Sequence, residues 1–221
     1  MFRGFIFLVG FYITYAQNDF NNKGEKDGVW IGYHQNGNLK YKGHFIENKE
    51  FGIFEYYDYN GNMLVQLNYI DPGSMSEAKI YDSNGFLKAT GYYLEQEKHG
   101  MWTYFDVDKK KMVEENYING VLHGEMIYYY KNNMIAEKYI YVNGLREGNA
   151  KIFYPSGRIN MRGTYSQNKL HGYAVFYYND NNRIESEGTY IMGQKDSIWI
   201  FYNELGDVLQ SIDYSISDFQ E

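Results

Sequence analysis

Gly28-Val29-Trp30-Ile31-Gly32-Tyr33, then Gln35-Asn36-Gly37-Asn38, then Leu39-Lys40-Tyr41-Lys42-Gly43-His44-Phe45: this stretch decides the fold. The two outer runs are short, aromatic and β-branched, which suits a pleated, half-buried surface. The Asn-Gly pair between them is a strong hairpin signal, because a type I′ turn needs positive φ at both central residues. Asn60-Gly61, Asn84-Gly85 and Ser156-Gly157 repeat the turn, and Asn119-Gly120 and Asn143-Gly144 place the same chemistry between hairpins.

The hairpin is one of eight. Gly28, Gly52, Ser76, Gly100, Gly124, Gly148 and Gly172 stand 24 residues apart, and Ser197 follows after 25. The extra residue fits the turn Asn179-Asp180-Asn181-Asn182. Five positions after each anchor comes an aromatic: Tyr33, Tyr57, Tyr81, Phe105, Tyr129, Phe153, Tyr177 and Tyr202. With aromatics at 19% of the chain, eight in eight has a chance of about two in a million, so the period specifies a solenoid or array. A second column repeats the message: Phe45, Tyr69, Tyr93, Tyr117, Tyr141, Tyr165, Tyr190 and Tyr214. The expected fold is all-β, a single twisted antiparallel meander of hairpins.

Pairing across the Asn36-Gly37 turn predicts Tyr33 opposite Lys40 and Trp30 opposite Gly43, and likewise Phe153 opposite Asn160 and Ala150 opposite Gly163. A large ring lying over a cross-strand glycine covers backbone, which accounts for Gly43, Gly91, Gly163 and Gly188. One face then carries Trp30, Phe54, Trp102, Met126 and Trp199 with Leu39, Leu87, Ile135, Ile159 and Ile184. The other carries Lys40, Lys42, Gln66, Thr90, Glu114, Lys138, Arg162 and Glu187, with the Tyr33 row among them.

The combination Gly-x-Trp/Met-x-x-Tyr/Phe-Tyr…Asn-Gly-x-Leu/Ile…Glu/Lys-Gly-x-Tyr…Asn-Gly-x-x-x-Gly resembles the MORN-repeat-variant family over about residues 24–215. Three places depart from it: Ser76 and Ser197 replace the anchor glycine, and Lys109 stands where a turn glycine belongs. The resemblance implies an elongated hairpin sheet that serves as an interaction scaffold. Bacterial members are often labelled antitoxin-like or immunity-like.

Composition bounds the rest. The chain has 221 residues, 26 Tyr, 14 Phe, 3 Trp, 23 Gly, 2 Pro and no Cys. Disulfides, thiolate zinc sites and cysteine nucleophiles are therefore excluded. Met1-Phe2-Arg3, the apolar run Gly4 to Ile13 and Thr14-Tyr15-Ala16 follow the order of a secretory signal, and the run is too short to span a bilayer. The expected organisation is a signal over 1–16, a short lead-in over 17–27, eight repeats over 28–215 and a tail over 216–221. The expected location is secreted, periplasmic or cell-surface.

Of the 21 basic residues only Arg3 lies in the signal, so 20 remain against 28 acidic ones, a net charge of −8. Such a chain does not gather on nucleic acid or bind membranes strongly. The run Lys109-Lys110-Lys111 is flanked by Asp106, Asp108, Glu114 and Glu115 and reads as a solvated turn.

No catalytic residue, cofactor or metal site is expected. His99, His123 and His171 share one repeat position, but equivalents two strands apart lie about 10 Å from each other, too far to ligate one ion. The carboxylate pairs Glu114-Glu115 and Glu185/Glu187 have no cleft to work in. The candidate site is instead the aromatic row Tyr57, Tyr81, Phe105, Tyr129, Phe153 and Tyr177, contacting a protein partner of unknown identity. A glycan- or wall-binding aromatic module is a second reading. An outer-membrane barrel of some sixteen strands is a third, opposed by Lys111, Glu115 and Glu137 on the more apolar face.

Overall fold

The computed structural model describes residues 17–215, so the expected signal and tail fall outside the described residues. Those residues form one open antiparallel meander and no helix. Hairpins one to four pair β1 (Gly28–Tyr33) with β2 (Leu39–Ile46), β3 (Lys49–Tyr57) with β4 (Met63–Asp71), β5 (Met75–Tyr81) with β6 (Leu87–Leu94), and β7 (Glu97–Phe105) with β8 (Lys111–Ile118). The fifth pairs β10 (Gly124–Tyr129) with β11 (Ile135–Val142), and the sixth β13 (Gly148–Phe153) with β14 (Ile159–Ser166). The seventh pairs β16 (Gly172–Tyr177) with β17 (Ile184–Ile191), and the eighth β18 (Gln194–Tyr202) with β19 (Val208–Asp213). The two-residue strands β9 (Val121–Leu122), β12 (Leu145–Arg146) and β15 (Lys169–Leu170) are the leading ends of β10, β13 and β16.

Each strand pairs with its sequence neighbours, and among the described residues β19 has no pairing with β1. The ladder is therefore open, which removes the barrel reading. Sixteen rungs at about 4.8 Å give a sheet on the order of 75 Å long.

The turns divide differently from the sequence expectation. Between hairpins, both central residues have positive φ: Glu47 and Asn48, Glu95 and Gln96, Asn119 and Gly120, Asn143 and Gly144, Gln167 and Asn168, Met192 and Gly193. That is type I′ chemistry. Within hairpins a single turn residue is left-handed, the third as at Gly37 (φ 86°), Lys109 (φ 61°) and Gly157 (φ 84°), or the fourth in the longer turn at Asn182 (φ 58°). The Asn36-Gly37 turn is thus a type I turn closed by a left-handed residue, with Gly37 N donating to His34 O at 3.0 Å. A register shift follows it. Trp30 faces Gly43 and Ala150 faces Gly163 as expected, but Tyr33 pairs with Leu39 and Phe153 with Ile159, not Lys40 and Asn160.

The anchor glycines serve a second distortion. Across β6 and β7 the pairing passes from Thr90↔Thr103 to Tyr92↔His99, so β7 carries two extra residues opposite Gly91. The anchor sits in this bulge with left-handed backbone: Gly52, Gly100, Gly124, Gly148, Gly172 and also Ser197 (φ 58°). At Ser76 there is no bulge. There Leu67, Asn68 and Tyr69 pair regularly with Ala78, Glu77 and Ser76. The irregularity moves to β4, where Ile70 is left unpaired before Asp71 meets Met75 and a longer Pro72-Gly73-Ser74 turn follows.

Candidate functional site

The two faces separate by alternation. The most buried residues line one of them: Phe54, Ala78, Trp102, Met126, Ala150, Ala174 and Trp199. The rings of Phe54, Trp102 and Trp199 lie over the glycine of the preceding hairpin, while their own cross-strand partners are Leu67, Glu115 and Ile212. A Cβ on Gly43 would overlap Phe54, one on Gly91 would overlap Trp102, and one on Gly188 would stand 2.5 Å from Trp199 Cδ2. The bulge is what swings each ring backward. Trp102 Nε1 then donates to Tyr92 O at 3.0 Å, and Trp199 Nε1 to Thr189 O at 3.0 Å.

This apolar face also holds cations. Lys98 Nζ lies 4.8 Å from the Trp102 ring, 5.2 Å from Tyr104 and 4.9 Å from Tyr117. Lys195 Nζ lies 4.1 Å from Trp199, 4.9 Å from Phe201 and 5.2 Å from Tyr214. Lys26 does the same over Trp30 and Phe45, and Arg146 over Tyr139 and Tyr165. Lys26, Lys98, Arg146 and Lys195 all stand two residues before an anchor. Their apolar stems cover the rings while the charge meets the π face. That position escaped the sequence reading, although a base recurring two residues before the anchor was there to be seen.

The expected row Tyr57, Tyr81, Phe105, Tyr129, Phe153 and Tyr177 lies on the opposite face, and every member is half-buried. Three phenols of this column are tied to acidic side chains of that face. Tyr57 Oη donates to Glu55 at 2.9 Å, Tyr129 Oη to Glu114 at 2.5 Å and Tyr202 Oη to Glu187 at 2.7 Å. The Arg162 guanidinium lies 5.6 Å from the Tyr177 ring. Across the turn the partners are Met63 for Tyr57, Leu87 for Tyr81, Lys111 for Phe105, Ile135 for Tyr129, Ile159 for Phe153 and Ile184 for Tyr177. The aliphatic column expected beside the tryptophans therefore accompanies the tyrosine row, because the bulge after each turn re-aims it. Lys111 shows the same correction: its ammonium bonds Glu114 and approaches Tyr129, so it sits on the polar face. Glu115 stays on the apolar face, accepting from Tyr117 Oη at 2.5 Å.

Electrostatics follow these contacts. Burial, then the hydrogen bond to Glu114, pushes the Tyr129 phenol up to about 12. Burial and the acceptor Glu115 do the same to Tyr117, and burial and Glu187 to Tyr173, each to about 12. Burial would raise the Glu114 carboxyl, but hydrogen bonds from Lys111 and Tyr129 outweigh it and leave it below its usual range.

A more exposed apolar set on the polar face was missed. It comprises Ile53 (56% exposed), Met101 (52%), Tyr173 (56%) and Ile198 (59%), each one residue after an anchor. Among the described residues no three His, Cys, Asp or Glu side chains converge to hold a metal.

Matches to the family model described as MORN repeat variant fall at residues 26–47, 52–71, 122–143 and 146–167, and a MORN repeat match falls at 162–183. The chain carries repeats of the MORN variant family. These MORN matches bracket the stretch 72–121, which contains the unbulged Ser76 junction. No curated protein matches the chain's sequence. Similar solved structures include an S. aureus TarM mutant in complex with fondaparinux, alpha-GlcNAc-glycerol and UDP (17% identity, 43% of this chain, 19% of that chain, TM-score 0.34). TarM itself matches at 19% identity, with the same coverage and TM-score. The overlap takes in about a fifth of TarM's length, and at that TM-score it carries no argument about the MORN array.

Proposed function

We propose that the protein is a non-enzymatic scaffold which captures a protein partner along the aromatic row of its polar face. The observation that carries this reading is the half-buried line Tyr57, Tyr81, Phe105, Tyr129, Phe153 and Tyr177, paired across each turn mostly with Met, Leu or Ile and bordered by charged side chains. An apolar stripe with a polar rim, built of stiff amphipathic rings, is the composition of protein interfaces. A single sheet leaves such a stripe without a second layer to cover it. The leader-like order of residues 1–16 favours a secreted, periplasmic or cell-surface setting for this capture. An immunity-like role, in which the captured protein is a toxin, is the narrower form of the same proposal.

Replacing Tyr81, Phe105 and Tyr129 together by Ser tests it. Partner capture from lysate falls at least tenfold, about 1.4 kcal/mol, while β-type circular dichroism persists. Loss of the fold without a separable loss of capture makes the row structural and the proposal wrong. Retention on wall glycans, with none on protein, replaces the partner class.

A further inference from the structure

The slot two residues before each anchor is filled by Lys26, Lys98, Arg146 or Lys195 in four repeats and by Leu122 or Leu170 in two. In the two remaining repeats it holds Glu50 and Ser74. These two are adjacent, and between them the apolar face opens into a cavity of about 400 Å³. Its walls include Tyr56, Tyr69, Tyr93 and Ile80, with Glu50 and Gln96 at polar positions. Phe54 backs the wall with its ring 5.6 Å from Tyr69.

The rings are those that elsewhere surround a cation. Tyr56 and Tyr69 occupy the repeat positions of Tyr104 and Tyr117, the two phenols around Lys98. What differs is the occupant. A carboxylate replaces the lysine, Ser74 is too short to reach, and Ala78 stands where Trp102 fills the next space. Among the described residues Glu50 makes no ion pair. Glu50 shares the cavity wall with Tyr56 and Tyr69, and burial, then that carboxylate, raises the Tyr69 phenol well above its ordinary value.

We infer that this cavity is a binding site for an external alkylammonium group, which takes the place that Lys26, Lys98 and Lys195 take in their own repeats. Aromatic faces supply the attraction for the cation and Glu50 supplies its counter-charge. The group comes either on a lysine side chain of a protein ligand or as a small quaternary ammonium compound. The site lies on the opposite face from the tyrosine row and does not rest on partner capture there.

Titration of the full chain, followed by the ring resonances of Tyr56, Tyr69 and Tyr93, tests this with three probes. They are choline, Nα-acetyl-lysine methylamide and the uncharged carbon isostere of choline. Both cations shift these rings saturably, and the isostere binds about fivefold more weakly or worse. Tighter binding of choline identifies a small quaternary ammonium as the ligand, and tighter binding of the lysine model identifies a protein side chain. Glu50→Gln weakens both cations by about fivefold or more. Glu50→Lys restores an internal cation and abolishes their binding without lowering the melting temperature. Equal binding of the uncharged isostere, or unchanged binding by Glu50→Lys, overturns the assignment.

Discussion

The indole of Trp102 lies on the backbone of Gly91, one hairpin back, and is fixed there by its hydrogen bond to Tyr92 O. Ring and glycine form one unit of the junction, and the bulge at Gly100 brings them together. Gly91→Ala drives a methyl into a buried ring that is 1% exposed and hydrogen-bonded in place. It destabilises by about 1–3 kcal/mol, as overpacking does, and Trp102→Ala by about 3–5 kcal/mol. Denaturant melts check both; a neutral Gly91→Ala would mean that the ring yields freely.

The hairpin turns discriminate by backbone handedness. Gly157 has φ 84°, and a Cβ there would collide with Met134 Cε. Gly157→Val therefore costs about 1–3 kcal/mol, whereas Lys109→Gly, at φ 61°, is neutral or stabilising. A melt in which the valine variant matches the parent contradicts the turn geometry.

Alkali should loosen the array before it reaches the folded phenols. Burial, then hydrogen bonds to Glu115, Glu114 and Glu187, push the Tyr117, Tyr129 and Tyr173 phenols up to about 12, against about 10 for a free phenol. A folded pKa above the unfolded one means stability fully present below pH 10 and lost as pH rises toward 12. Unfolding midpoints measured between pH 9 and 12 fall across that window, and combined Tyr→Phe changes at the three positions flatten the decline. A flat profile in the parent chain refutes the linkage.

At the acid end the sign reverses. Glu114 is held below its usual range by Lys111 and Tyr129 against the opposing effect of burial. Its contribution is complete above the ordinary carboxylate pKa and is lost as pH falls through the folded value. Glu114→Gln lowers stability at pH 7 and shows a shallower acid decline than the parent; identical slopes would dissociate the carboxylate from stability.

Sixteen rungs also predict a shape. Small-angle scattering of residues 17–215 gives a particle on the order of 75 Å long, against about 35–40 Å for a compact globule of this size. A compact profile rejects the open meander.

Period, hairpins and the type I′ turns at Asn119-Gly120 and Asn143-Gly144 were legible because each rests on residues close in sequence. The bulges were not. Tyr69 to Ser76 and Tyr93 to Gly100 are both seven residues, yet the first is a long turn with one residue, Ile70, left unpaired in β4, and the second a tight turn with two extra residues in β7. The two solutions use the same number of residues, so spacing cannot separate them. Once the bulges were missed, strict alternation misassigned Leu39 and Lys111, and Gly43 was given Trp30 of its own hairpin as its covering ring, where Phe54 of the next hairpin lies. The cavity at Glu50 was hidden for a related reason, since it is defined by what neighbouring repeats have and this pair lacks.

Pairing strictly by sequence neighbour sets how the molecule bears load. Its strands run across the long axis and its backbone hydrogen bonds run along it, with β1 and β19 at opposite ends. Tension between those ends falls on one rung at a time and opens the sheet as a zipper opens, unlike parallel-loaded strands that must shear all their bonds together. A bound partner spanning several hairpins would act as a clasp, so that occupancy, rather than the sheet itself, sets how far the chain can be drawn out.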